Sequence, residues 1–74
     1  SWAAIVGFDV LDSRSGKSVG RIVSVDDTTV NTLFELEDGQ LIPAQDELID
    51  SVDADRRVIA MNLPDGLLDI DGVG

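Results

Sequence analysis

The side chains of this chain that could do chemistry are mostly carboxylates. Asp46, Glu47 and Asp50 cluster in sequence, and Asp53-Ala54-Asp55 and Asp69-Ile70-Asp71-Gly72 place acids at alternate positions. Gly16-Lys17-Ser18 ends as a phosphate-binding loop would. Paired carboxylates serve as general acid and base only where a pocket drives their pKa values apart, and so short a chain has little core from which to shape one. Alternating acids are also the pattern of calcium loops. An EF-hand loop, however, needs several such ligands and a Glu at its twelfth position between two helices. The first acidic run lacks the Gly, and the second lies close to the end of the chain. A P-loop needs a Gly where Leu11 stands and a helix where residues 19–25 alternate as a strand. All of these runs therefore read as solvated faces or turns. With no His, Cys or Tyr, imidazole and thiolate catalysis and zinc sites built on those ligands are excluded. The expectation is a protein that is not an enzyme and uses no cofactor and no metal.

Charge narrows the partners. Fifteen acidic residues stand against five basic ones, Arg14, Lys17, Arg21, Arg56 and Arg57, for a net charge of -10. Nucleic-acid affinity is dominated by phosphate neutralisation, so direct RNA or DNA binding is not expected. A basic protein is the natural partner if the charge is functional, because opposite potentials steer encounter. If it is not, the charge keeps a small domain soluble. Trp2 is the only tryptophan. Its amphipathic ring suits a binding hot spot, a cover over an open end of the fold, or a face turned to another domain.

The elements that would position these residues are short strands. Residues 5–11 read as a strand with Val6, Phe8 and Val10 on one face and Ile5, Gly7, Asp9 and Leu11 on the other. Residues 12–17 form a polar turn. Residues 18–25 return, with Val19, Val23 and Val25 on one face and Ile22 on the other. Arg21 shares the valine face and must lie at an edge or extend its head outward. Residues 30–37 give a third strand, and Asp38-Gly39 is a hairpin signal. Residues 40–44 form a fourth strand; Pro43 cannot donate to a ladder, so that strand lies or ends at an edge. Residues 44–48 predict a helical turn. Residues 48–52 and 57–63 predict a second hairpin about a turn at 53–56. Pro64 stops the last strand, and Leu67 and Leu68 are expected to form a helical turn that closes the core. The class is all-β, five to six antiparallel strands in a small barrel or sandwich.

Seventy-four residues make one domain at most, and such a chain buries only about 60% of the surface its unfolded form exposes. No run approaches the roughly 18 apolar residues of a membrane span, and the apolar start lacks the basic region of a signal peptide. The absence of Cys fits a reducing compartment. The chain opens inside an apolar run without an initiator methionine, as expected of a fragment cut at a domain boundary.

One ordered set of segments carries a resemblance. Trp2 precedes Ile5-Val6-Gly7; Gly16 and Val19-Gly20-Arg21-Ile22-Val23 follow; then come Asn31-Thr32-Leu33-Phe34-Glu35-Leu36 and Leu41-Ile42-Pro43. Val52-Asp53, Arg57-Val58-Ile59 and Asn62-Leu63-Pro64-Asp65-Gly66-Leu67-Leu68 complete it. The set resembles the C-terminal PRC-barrel domain of RimM-type ribosome maturation factors over almost the whole chain. That resemblance implies a PRC-type barrel over residues 1–70, a frayed tail at 71–74 and a missing N-terminal domain. It implies a cytoplasmic factor that binds the immature small ribosomal subunit and assists head assembly and rRNA processing. The implied partner is a basic protein of the subunit head, small-subunit protein nineteen. Trp2 matches the family's aromatic beside the first strand, whereas Ser1 stands where a Tyr is frequent. Trp2, Leu41, Ile42 and Pro43 are the candidate partner-binding residues. The alternative is another PRC-barrel serving as a scaffold or interaction module, including one attached to a membrane electron-transfer complex.

Overall fold

Gly7 decides how the chain enters the sheet. The computed structural model describes residues 2–65. The alternation over residues 5–11 predicts a strand from Ile5, and here the structure differs. Trp2–Ile5 forms a 3-10 turn, η1, and the first strand, β1, spans only Asp9–Asp12. Gly7 takes φ +96°, a conformation open to a residue without Cβ. Its N–H donates to the carbonyl of Ile22 at 2.8 Å, and the Phe8 N–H donates to Ile5 O at 3.0 Å. This bend breaks the two-residue period, so Ile5 and Phe8 both enter the core while Val6 faces solvent.

The remaining strands are β2 (Ser18–Asp26), β3 (Leu33–Leu36), β4 (Leu41–Pro43), β5 (Ile49–Asp53) and β6 (Val58–Met61), with a 3-10 turn, η2 (Asp46–Leu48), before β5. They form one sheet in the order β4-β3-β2-β1-β6-β5. The all-β class is as expected. Every neighbouring pair is antiparallel except β1 and β6, which run parallel with Asp9 opposite Val58 and Asp12 opposite Met61. A parallel pair needs a long crossover, and β2 to β5 supply it. The third strand is shorter than its expected span, because residues 30–32 belong to the β2–β3 loop and Val30 is 97% exposed.

Strand β2 carries two irregularities that redistribute its apolar residues. Val10 faces Gly20 but Leu11 faces Ser18, which leaves Val19 as an extra residue. Ile22 faces Leu36 but Ser24 faces Glu35, which leaves Val23 as another. Each bulge shifts the phase of the strand by one residue. Val19, Ile22 and Val25 consequently all pack on the core, three residues apart, while Val23 is 44% exposed. The expected valine face is thus corrected: Ile22 is the fully buried member. Arg21 does reach outward, to Glu37 at 3.5 Å.

The core is apolar throughout. Val10, Ile22, Phe34, Leu36, Ile42, Ile59 and Met61 are fully enclosed, and no described polar or charged residue is buried. The Asp38-Gly39 turn forms as expected: Gly39 has φ +91° and donates its N–H to Leu36 O at 2.9 Å. Strand β4 is an edge of the sheet. Gln40 O accepts from Leu36 N–H, and Ala44 N–H donates to Thr32 O. Backbone groups of residues 40, 42 and 44 therefore face β3, and those of Leu41 and Pro43 face outward.

Two arginines lock distant segments. Arg57, in the turn before β6, has φ +60°; its guanidinium lies 5.6 Å from the Phe8 ring centroid and its Nη2 donates to Val6 O at 3.4 Å. Arg14, in the β1–β2 turn, donates from Nη2 to Leu63 O at 2.5 Å and to Asp65 Oδ1 at 2.8 Å. It thereby holds the chain after β6 against that turn, with Leu63 buried. The expected closing turn at Leu67 and Leu68 and the tail at 71–74 lie outside the described residues.

Candidate functional site

Trp2 stands on η1 because the Gly7 bend folds the first turn back over the sheet. Its ring meets Phe34 edge to face, with centroids 5.2 Å apart and planes at 74°. Phe34 is itself fully buried at the centre of β3. Such a pair contributes about 0.5–1.5 kcal/mol beyond its buried area, so Trp2 is held against the core while part of its ring stays open to solvent. Beside it runs a groove of about 480 Å³ between η1, the β2–β3 loop and the segment from β4 to η2. Leu33, Pro43 and Ala44 share the apolar lining with Trp2. Val30 stands at its margin, as do Asp46 and Glu47.

The four candidate residues separate. Trp2 and Pro43 meet in this groove. Leu41 is 56% exposed, outside the lining, and Ile42 is fully enclosed in the core. Alternation explains the split: Ile42 points inward opposite Phe34, and its neighbours point outward opposite Leu33 and Glu35. Only Trp2, Leu41 and Pro43 present a side chain to a partner. The sequence did not single out the groove's uncharged polar members, Asn31, Thr32 and Gln45. A usable signal was Val30, an apolar residue following the polar run Asp26-Asp27-Thr28-Thr29.

The electrostatics of the surface are one-sided. No Lys or Arg lines the groove. Arg14, Arg21 and Arg56 pair with Asp65, Glu37 and Asp53, and Arg57 lies over Phe8. Four of the five cations are therefore engaged within the fold. Hydrogen bonds strengthen the acidity of two carboxyls. The Thr28 hydroxyl, then its backbone N–H, holds the Asp26 carboxyl below the usual carboxylate value. The backbone N–H of Gln40, then its side-chain amide, does the same for Asp38. Neither geometry resembles an acid–base pair. Asp46, Glu47 and Asp50 are all exposed, and Asp50 accepts from the Ser13 hydroxyl at 2.5 Å.

The other chemical motifs resolve into turns. Gly16-Lys17-Ser18 closes the β1–β2 hairpin and leads into a strand. Asp53 caps the β5–β6 turn by accepting the Arg56 N–H at 3.0 Å. Asp69 to Gly72 lies outside the described residues.

Comparison with known proteins now bears on this fold and surface. A family model, the RimM PRC barrel domain, matches residues 2–67. The chain belongs to the RimM family. The ribosome maturation factor RimM of Bacteroides fragilis is 47% identical over 74 residues, covering 96% of this chain and 41% of that protein. RimM of Bacteroides thetaiotaomicron is 45% identical over 75 residues, with the same coverage. The chain thus spans about two fifths of the length of these curated relatives. A crystal structure of a RimM protein from Pseudomonas aeruginosa superposes with a TM-score of 0.74 at 18% identity, over 86% of this chain and 43% of that one. That likeness supports the RimM PRC-barrel fold independently of close sequence similarity. The relatives named here carry the ribosome-maturation name and not that of a membrane scaffold, and among the described residues no helix is long and apolar enough to cross a membrane.

Proposed function

We propose that this chain is a non-enzymatic docking module of a cytoplasmic ribosome maturation factor. It assists small-subunit assembly and rRNA processing by binding a basic protein of the subunit head, small-subunit protein nineteen, on the immature subunit. The RimM name of its relatives supports the ribosomal setting. The single observation that carries the docking role is the groove: a core-packed, partly exposed Trp2 on an apolar floor, with Asp46 and Glu47 at the margin and no cation lining it. Aromatic anchors in concave apolar settings are where binding energy concentrates. A one-signed surface steers an oppositely charged partner and rejects nucleic acid.

The test is calorimetric titration of the purified head protein into this chain at low and high salt. A complex at low salt that weakens as salt rises is expected, since screening shortens the reach of exposed charges. Absence of heat at low salt would end the docking reading. Binding indifferent to salt would remove its electrostatic part.

A further inference from the structure

Asn31 and Gln45 also line the groove, and both are exposed. No hydrogen bond within the described chain engages either side-chain amide, and Gln45, although it occupies the N-cap position of η2, makes no capping bond through its side chain. A carboxamide presents the donor and acceptor types that a peptide backbone itself presents. The groove therefore holds three kinds of recognition side by side. Trp2, Leu33, Pro43 and Ala44 offer an apolar floor. Two unengaged carboxamides offer main-chain hydrogen bonds. Asp46 and Glu47 offer charge to flanking cations.

Size and edge geometry restrict what can enter. A volume of about 480 Å³ falls within the roughly 300–1,000 Å³ of sites that enclose a compact ligand. It has room for an anchoring side chain and its neighbours. Strand addition is the other common way to hold a peptide. The β4 edge is poorly built for it, because Pro43 has no N–H and Leu41 offers the one outward donor of the strand.

We infer that the groove binds an extended peptide segment of its partner, in which an aliphatic or aromatic residue seats against Trp2 between flanking Lys or Arg residues that pair with Asp46 and Glu47. The inference rests on the basic-partner reading above and adds the form of the recognised element: a strand-like or loop segment held by side chains, not a docked domain surface.

Trp2 is the only tryptophan of the chain, so its emission reports on the groove directly. The probes are the intact head protein and short overlapping peptides covering its sequence, each titrated into this chain at low salt. A peptide with Lys or Arg around an apolar residue is expected to shift Trp2 emission and to compete with the intact protein. Asp46→Lys and Glu47→Lys should each weaken both probes by about five- to tenfold. Asp55→Lys makes the same charge change in the β5–β6 turn, outside the groove, and should weaken them by less than about twofold. If the intact protein binds but no peptide does, or if Asp46→Lys and Asp55→Lys weaken binding equally, the peptide inference is overturned and the docking reading stands. If the intact protein does not bind, the docking reading falls and the inference falls with it.

Discussion

Gly7→Ala tests the reasoning that places Trp2. Gly7 sits at φ +96°, and a Cβ built there would overlap Arg57 Nη2. A non-glycine residue held in such a sparsely populated conformation costs about 1–3 kcal/mol. Relieving the overlap moves the guanidinium from its place over the Phe8 ring, which forfeits at most about 0.5–1 kcal/mol at an exposed site. Alanine also narrows the unfolded ensemble, which offsets about 0.4–1 kcal/mol. The net expectation is a loss of about 2 kcal/mol. For a domain of this size each kcal/mol moves the melting midpoint by about 4–8 °C, so the variant should melt on the order of 10 °C lower. Urea unfolding followed by Trp2 emission measures it. Arg57→Ala separates the two contributions: in that background Gly7→Ala should cost about 0.5–1 kcal/mol less, because no guanidinium remains to be displaced. Equal costs in both backgrounds would refute the overlap argument. A cost below about 0.5 kcal/mol in the parent chain would refute the backbone argument as well.

Three further outcomes follow from the same geometry. Ile22→Ala should destabilise by about 2–5 kcal/mol, whereas Val23→Ala, at the outward bulge position, should stay within about 0.5 kcal/mol; equal urea midpoints would contradict the β2 register. Arg14→Ala should cost about 1–2 kcal/mol by leaving the Leu63 carbonyl without its donor. Asp65→Asn should cost less than about 0.5 kcal/mol, because that ion pair is screened by water at the surface; the comparison is again of urea midpoints. Asp26 and Asp38 titrate below the usual carboxyl value of 3.8, so their stabilisation is present above that value and is lost as pH falls through the lower folded value. Carboxyl-carbon NMR titration should find both midpoints below 3.8, and a midpoint at or above it would remove the hydrogen-bond argument for that residue.

Local chemistry was legible in the sequence where it acts on its immediate neighbours. Asp38-Gly39 marked its hairpin, Pro43 marked the edge strand, and residues 53–56 marked the last turn. The sequence failed where a single residue changes the period of many. Gly7 converts an alternating run into a 3-10 turn followed by a short strand, and the extra residues Val19 and Val23 move β2 from a two-residue to a three-residue apolar spacing. Both effects depend on partners elsewhere, Ile22 for Gly7 and the registers with β1 and β3 for β2. The parallel β1–β6 pair was illegible because its residues lie far apart in sequence. Trp2 and Pro43 were read from residue type, the edge position of Pro43 and the family resemblance. Their meeting with Asn31, Gln45, Asp46 and Glu47 is a product of tertiary folding, and no short window contains it.

The parallel pairing of β1 with β6 has a consequence for the protein's own synthesis. Domains fold as units while the chain emerges N-terminus first, at about 5–20 residues per second. The first strand leaves the ribosome early but gains its second neighbour only when Val58–Met61 has followed. Arg57, which ties the last turn to Val6 and Phe8 beneath η1, arrives equally late. The wall that carries Trp2 is therefore set only once nearly all of the barrel has been made. The groove beside Trp2 therefore takes its final form only as the end of the domain is made.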